Sequence, residues 1–266
     1  MNIKILSAGS LKPFFDKLIP IYKHHRELVT FEIEYTGSLE CIRRIYKGEK
    51  VDLVAVADYS LLEEFVNEGV TDKYYLLAGN EMVICFTDNS IYAEAIDASN
   101  WFQFITGGEA RVGHTAPDLD PAGYRALMVM ELAQKFYGPK DLLSNFLSNE
   151  KRQVFTNAGV MVEQLILHQV DYIFEYYSVA KNNNLKFIKL PKEINLSEPN
   201  EAYYAQARVG IRNFKNEYYE KVGCPIAYAY SVLSPDIHIM AFADYLQSSA
   251  VHELLKICNL KPIFIK

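Results

Sequence analysis

The sequence has few of the residues and patterns that build redox, metal and membrane-spanning sites. Its four cysteines lie far apart and form no C-x-x-C pair, so a zinc or redox motif is not expected and buried free thiols are favoured. No apolar run approaches the roughly 20 residues of a membrane span. The sequence also has no phosphate-binding P-loop, nucleophile elbow or catalytic triad signature, so no nucleophile or cofactor motif supports an enzyme.

Positively charged residues are outnumbered by negatively charged ones, 27 to 33. The 266 residues carry a formal net charge of −6 and a pI near 5.6, which argues against nucleic acid and anionic membranes as partners. Half of the residues are hydrophobic and 23% are charged, as in ordinary globular proteins. Met1 leads straight into an apolar strand, so we expect a signal or lipid anchor to be absent from this chain.

The chain alternates short apolar segments with amphipathic ones, which predicts an α/β fold. Apolar residues recur at helical spacing over 122–137, and the segment 191–204 is typical of a long connection. The predicted strands are 3–7, 30–35, 52–56, 81–87, 110–113, 171–174, 186–190, 205–212 and 225–233. The predicted helices are 11–25, 39–47, 60–68, 122–137, 158–168, 176–182 and 239–258.

Several predicted helices start with residues suited to an anion. A helix N-terminus offers unpaired N–H groups and a partial positive charge, and small residues such as Gly9, Gly37 and Gly123 let an anion approach the backbone. A Ser or Asp before a helix is more often only a cap, so convergence of several starts would be needed for a binding pocket. The starts are Ser10 as N-cap, 36–38 (TGS), Asp120-Pro121 and 156–160 (TNAGV).

Two negatively charged side chains lie at the edge of the predicted anion-binding pocket, where they would repel an anion. Asp120 opens a helix and Glu175 ends a buried strand, so both would repel sulfate or phosphate. They could instead bind the central metal atom of a metal oxoanion, since hexavalent molybdenum and tungsten accept extra oxygen ligands and sulfur does not. Two alternatives stay open: Asp118 in place of Asp120, and an ordinary role in which Asp120 is only a cap and Glu175 pairs with a cation such as Arg125 or Lys181.

Five motifs follow one another along the chain: 8–11 (AGSL), 55–59 (AVADY), 80–84 (NEMVI), 120–128 (DPAGYRALM) and 171–176 (DYIFEY). In this order they resemble those of the archaeal-type molybdate/tungstate-binding proteins, which are solute receptors of ABC importers. The resemblance runs from about residue 3 to 262. It implies a two-lobed periplasmic-binding-protein fold of type II, with two crossover strands and a ligand cleft between lobes. Lobe 1 would be discontinuous (1–84 and 208–266) and lobe 2 would be 85–207.

The resemblance also implies a ligand set. Serine hydroxyls would donate to the oxygens of the anion, two carboxylates would complete a six-coordinate metal, and backbone amides would line the site. The chain departs from the family where it has Ala122 in place of Cys and Tyr177 in place of Arg. By motif, the hydroxyls belong to Ser10 and Ser38, the carboxylates to Asp120 and Glu175, and the amides to Ala122 and Tyr176.

The resemblance therefore implies a non-enzymatic receptor that captures molybdate or tungstate between two lobes and delivers it to a membrane permease. It would act as a monomer in the periplasm or at the cell surface, with no cofactor besides its ligand. The alternative is a small-molecule enzyme on the same fold that uses Asp120 and Glu175 as an acid/base pair. A third reading, the effector-sensing part of a regulator, is disfavoured because the sequence has no DNA-binding extension.

Overall fold

The computed structural model describes residues 1–24, 26, 28–199 and 201–263, and its strands and helices alternate as the sequence predicts. The strands are β1 (Asn2–Ala8), β2 (Thr30–Thr36), β3 (Leu53–Val56), β4 (Tyr75–Gly79), β5 (Met82–Phe86), β6 (Val112–Thr115), β7 (Arg152–Phe155), β8 (Tyr172–Tyr176), β9 (Lys186–Lys189), β10 (Arg208–Arg212), β11 (Tyr218–Val222), β12 (Ala227–Val232) and β13 (Lys261–Pro262).

The helices are α1 (Lys12–Lys23), α2 (Ser38–Tyr46), α3 (Tyr59–Asn67), α4 (Trp101–Thr106), α5 (Pro121–Tyr137), α6 (Leu142–Ser148), α7 (Ala158–Ile166), α8 (Tyr177–Asn182), α9 (Glu201–Tyr204), α10 (Ile237–Leu246) and α11 (Ser249–Ile257). A 3-10 turn, Gly9–Leu11, precedes α1. His25, the last residue of the first predicted helix, lies outside the described residues.

The chain divides into two compact units. Unit 1 comprises Met1–Asn80 and Ile226–Lys266, and unit 2 comprises Glu81–Pro225. Unit 1 is built on a six-stranded sheet of order β13-β4-β12-β3-β1-β2. Here β1 runs parallel to β2 and β3, whereas β12 runs antiparallel to β3 and β4. The loops after β1 and β2 therefore leave the sheet at the same edge.

Unit 2 has a five-stranded sheet of order β7-β6-β8-β5-β9. Strand β6 is parallel to β7 and β8, and β5 is antiparallel to β8 and β9. The carboxyl ends of β6 and β8 therefore lie side by side at one edge of the sheet. The long helix α5 follows β6, and most of its side chains are buried.

The unit boundaries, 80/81 and 225/226, differ from the expected lobe boundaries at 84/85 and 207/208. The boundary at 225/226 lies later than the expected 207/208 because β10 and β11 form an antiparallel hairpin of their own. Two backbone amides of β10 donate to unit 2 carboxylates: Arg208 N to Glu131 Oε2 at 2.9 Å and Arg212 N to Asp118 Oδ1 at 2.7 Å. These contacts attach the hairpin to unit 2.

Most predicted elements are present with small shifts at their ends. The helix predicted over 239–258 is divided into α10 and α11, because the chain leaves the helical conformation at Ser248. The strands β4, β7, β11 and β13 and the helices α4, α6 and α9 were not predicted. Cys41, Cys85 and Cys258 are buried as expected, whereas Cys224 is only partly buried. None of the helices in the described part of the chain has the length and hydrophobicity needed to cross a membrane.

Candidate functional site

Ser10 and Ser38 lie just beyond the carboxyl ends of two neighbouring strands. Strands β1 and β2 pair in parallel register up to Ala8 and Thr36, so the residues that follow them emerge at the same sheet edge. Ser10 lies in the 3-10 turn after β1, and Ser38 is the first residue of α2. The sheet register alone therefore places both serines at one edge of unit 1.

Ser10 is not the helix cap that the sequence predicts. The N-cap of the 3-10 turn is Ala8 and that of α1 is Leu11, and neither makes a side-chain capping bond. The Ser10 hydroxyl oxygen instead accepts a hydrogen bond from the Tyr228 hydroxyl at 3.0 Å. Because Tyr228 is the donor, the proton of Ser10 remains available for another acceptor.

Ser38 has a similar arrangement. Gly37 is the N-cap of α2, and the buried Ser38 hydroxyl oxygen accepts from the Ala57 amide at 2.9 Å. Ala57 follows β3, whose carboxyl end lies at the same edge as that of β1. Again the serine oxygen accepts, which leaves its proton free to be donated. Both hydroxyls are thus held in place in a way that suits them to donate to an anion.

In unit 2, the N-terminus of α5 is packed very closely against the end of β6. A Cβ atom added at Gly123 would lie 2.3 Å from the Thr115 carbonyl oxygen and 2.8 Å from the Ala116 carbonyl carbon. Real Cβ atoms do not approach backbone this closely, so only glycine fits here. The close approach brings Asp120, at the start of α5, to the edge where β8 ends with Glu175 and Tyr176.

Asp120 caps α5, as the sequence predicts. Its Oδ1 accepts from the Ala122 amide at 2.9 Å, and Pro121 occupies the first turn. Burial raises the pKa of Asp120, and the Ala122 hydrogen bond and the charge of Arg125 oppose this rise.

Asp118, the alternative to Asp120, uses its Oδ1 to accept from the Arg212 amide on β10. Repulsion from Asp120, and not from Asp118, contributes to the raised pKa of Glu175.

Glu175 is a buried carboxylate in an otherwise apolar strand, with 1% of its surface exposed. Its Oε1 accepts from the Tyr176 amide at 2.8 Å, while its Oε2 is buried with no hydrogen-bond partner among the described residues. Thr115 Oγ1, at the end of neighbouring β6, is likewise buried without a partner in the described part of the chain. Buried polar atoms without partners are rare and are often completed by a ligand or water.

The environment of Glu175 opposes its ionisation. Burial first, and then repulsion from Asp120, raise the pKa of Glu175 to about 8, although the Tyr176 amide acts in the opposite direction. Within the described residues, neither Arg125 nor Lys181 hydrogen-bonds to Glu175, so the alternative ion pair of Glu175 with one of these cations is not formed. The buried Arg125 instead donates from Nη1 to the Tyr176 hydroxyl at 2.6 Å.

The amides of Ala122 and Tyr176 lie at this same edge and donate to the two carboxylates. Their assignment as ligand donors stays a prediction. The Ala122 amide holds one oxygen of Asp120 and the Tyr176 amide holds one oxygen of Glu175, so the second oxygen of each carboxylate is not used in that hydrogen bond. The arrangement therefore presents two oriented carboxylates that repel each other, which is unsuited to a simple anion and suited to an electron-poor atom that accepts oxygen ligands.

The raised pKa of Glu175 predicts an unusual pH dependence of stability. A folded-state pKa of about 8, above its ordinary value of 4.5, means that the unfolded chain binds fewer protons in this range. The free energy of unfolding should therefore fall as the pH rises from about 4.5 to about 8. Glu175→Gln should remove this fall and, in ligand-free protein at pH 8, stabilise the fold by on the order of a few kcal/mol relative to wild type.

Chemical denaturation of both proteins at pH 5 and pH 8 measures the difference. The two proteins should differ much less at pH 5 than at pH 8, because pH 5 lies only slightly above the ordinary pKa of 4.5 and most of the fall occurs at higher pH. Parallel pH dependence of the two proteins would show that Glu175 ionises normally in the fold.

Sequence reasoning did not find Tyr228 or the role of Arg125. Tyr228 lies on β12 and contacts Ser10 across a separation of 218 residues, which no local pattern reveals. The sequence offers Arg125 as a partner for Glu175, whereas the structure shows its Nη1 donating to the hydroxyl of Tyr176, the residue after Glu175.

Comparisons with known proteins place this geometry in context. A profile of the family described as bacterial extracellular solute-binding protein matches residues 3–256. The molybdate/tungstate-binding protein WtpA of Pyrococcus abyssi is 32% identical over 284 aligned positions, which cover 95% of this chain and 82% of that protein.

Two solved structures resemble the whole chain. The periplasmic molybdate-binding protein of Azotobacter vinelandii has a TM-score of 0.70 and 13% identity, covering 99% of this chain and 100% of that one. The sulfate-binding protein SubI of Mycobacterium tuberculosis has a TM-score of 0.73 and 13% identity, and the match covers 99% of this chain and 87% of that one. Because proteins named for different anions share this fold, the fold alone does not identify the anion.

Proposed function

Since the chain belongs to the family of bacterial extracellular solute-binding proteins, we propose that it captures molybdate or tungstate and delivers the anion to an ABC permease in the membrane. The whole-chain likeness to a periplasmic molybdate-binding protein agrees with the expected periplasmic-binding-protein fold. The family and the structural relatives are solute-binding proteins, so the alternative enzyme with Asp120 and Glu175 as acid and base is not supported. The protein would act as a monomer in the periplasm or at the cell surface.

The observation that carries the choice of anion is the buried Glu175 carboxylate beside Asp120. Its Oε2 has no hydrogen-bond partner among the described residues, and Asp120 contributes to the raised pKa of Glu175. A sulfate ion would add negative charge to this pair, and its sulfur atom accepts no further oxygen ligand. Molybdenum and tungsten accept such ligands, so the pair attracts their oxoanions through the metal and rejects sulfate.

The remaining assignments follow from which atoms have protons to donate. The hydroxyls of Ser10 and Ser38 each accept from a neighbouring donor, so their protons are directed to the oxygens of the anion. Ala122 and Tyr176 line the site through amides that orient the carboxylates. The protein needs no cofactor for this role, because the metal atom belongs to the transported ligand.

Titration calorimetry with tungstate, molybdate and sulfate tests the proposal directly. We expect 1:1 binding of tungstate or molybdate, with sulfate weaker by several orders of magnitude at a pH above about 8, where Glu175 is ionised and opposes sulfate together with Asp120. The phosphate ion serves as a second tetrahedral control that lacks a metal centre. Sulfate affinity equal to that of tungstate would rule out selection through the central atom, even if the protein remained a solute receptor.

A further inference from the structure

Tyr228 occupies an unusual position in the sheet of unit 1. It lies on β12, it is fully buried, and the register of β12 against β4 shifts between Tyr228 and Ala229. Irregularities of this kind bend a strand locally and redirect a side chain, and they are common near functional sites. Here the redirected side chain is the phenol that reaches the hydroxyl of Ser10 at 3.0 Å.

A second contact fixes the direction of the hydrogen bonds. The amide nitrogen Nδ2 of buried Asn80 donates to the Tyr228 hydroxyl at 3.1 Å. An amide nitrogen only donates, so the phenol oxygen is the acceptor of this bond. The single phenol proton is therefore used toward Ser10, and the chain of donors runs from Asn80 through Tyr228 to Ser10.

The consequence concerns the proton of Ser10. Since its oxygen accepts from the phenol, Ser10 cannot donate back to Tyr228 along the same line. Consecutive hydrogen bonds that run in one direction also polarise one another, so the hydroxyl of Ser10, the last in this series, becomes a better donor. Ser38 reaches the same state through the backbone amide of Ala57, whereas Ser10 depends on a side chain.

We propose that Tyr228 is a positioning residue for oxoanion binding, which with Asn80 sets the orientation of the Ser10 hydroxyl so that its proton faces the anion. The inference rests on the proposed function, and specifically on Ser10 as a donor to the ligand. Tyr228 itself does not touch the anion. Its contribution to affinity passes through Ser10, and this dependence separates it from a tyrosine that only fills the core.

The test is a double-mutant cycle read by calorimetry with sodium tungstate. Tyr228→Phe keeps the buried ring and removes the hydroxyl, and we expect it to weaken tungstate binding roughly tenfold, the worth of one oriented hydrogen bond. Ser10→Ala should weaken binding by at least as much. In the Ser10→Ala background, Tyr228→Phe should cause no further loss, because the group it positions is gone.

Tyr230→Phe is the matched control. Tyr230 is buried on the same strand, and its hydroxyl donates to the Ala243 carbonyl at 2.9 Å and accepts from Gln247 at 2.8 Å. Removal of the Tyr230 hydroxyl should lower the thermal stability of the protein and leave its tungstate affinity unchanged. If Tyr228→Phe fails to fold, Asn80→Ala tests the same series of hydrogen bonds at its first donor. This substitution should weaken tungstate binding when Ser10 is present and have no effect in the Ser10→Ala background.

The outcomes separate this inference from the proposed function. If Ser10→Ala weakens binding and Tyr228→Phe does not, the positioning role is refuted while the receptor function stands. An equal loss from Tyr228→Phe with and without Ser10 also refutes it, since the effect would then bypass Ser10. If Ser10→Ala binds tungstate normally, Ser10 is not a ligand donor and the inference fails together with that assignment.

Discussion

Replacing Glu175 by glutamine is expected to weaken tungstate binding by on the order of a hundredfold or more, and Asp120→Asn should have an effect of similar size. Both changes keep the shape of the side chain and remove the charge that draws the carboxylate to a hexavalent metal. The loss of one partner from a buried charged contact costs several kcal/mol, which corresponds to this range of affinity. Calorimetric titration with tungstate measures each variant.

The two carboxylates should also control selectivity. The Asp120→Asn/Glu175→Gln double variant no longer places negative charge against the ligand, so its sulfate affinity should rise while its tungstate affinity falls. A coordinated shift in opposite directions is the signature of selection by the central atom, because general damage to the site would weaken both anions.

Asp118→Asn provides the matched control. Asp118 lies two residues from Asp120, but its Oδ1 accepts from the Arg212 amide at 2.7 Å. Its replacement should leave tungstate affinity within about twofold of wild type, in the range of substitutions that do not touch a ligand. The reverse pattern, with a large loss for Asp118→Asn and none for Asp120→Asn, would move the assignment to Asp118.

Gly123→Ala should have the second large effect, on both stability and binding. The added Cβ would meet the carbonyl oxygen of Thr115 at 2.3 Å, and backbone atoms cannot move aside as a flexible side chain can. We expect the free energy of unfolding to fall by about 3 kcal/mol, the upper part of the range for overpacking. Because the start of α5 must move away from β6, tungstate binding should be lost as well.

Gly9→Ala is the control for the stability measurement. A Cβ atom at Gly9 meets nothing within 4 Å, so this substitution should change the free energy of unfolding by less than about 0.5 kcal/mol. Denaturant unfolding of both variants gives the comparison. If Gly123→Ala were as stable as Gly9→Ala, the close approach of α5 to the end of β6 would not be a requirement of the fold.

Local signals in the sequence predicted much of the secondary structure. The helical spacing of apolar residues over 122–137 and the Asp120-Pro121 start correspond closely to α5 (Pro121–Tyr137). Strand β11 was missed because its residues, Tyr218–Val222, alternate polar and apolar side chains only weakly and are stabilised by pairing with β10. The role of Ser10 as a cap was wrong, because Tyr228 accounts for its side-chain hydrogen bond.

The sequence by itself determined the α/β class, the family resemblance and the residue types available to an anion, because propensity, periodicity and motif order are local properties of the chain. Only the tertiary structure decided the rest: the electrostatic repulsion of Glu175 by Asp120, the buried oxygen of Glu175 and the hydrogen bond from Tyr228 to Ser10. These features depend on strand register and on the desolvation of charge. Both arise when distant segments pack together, so no single segment of the sequence contains them.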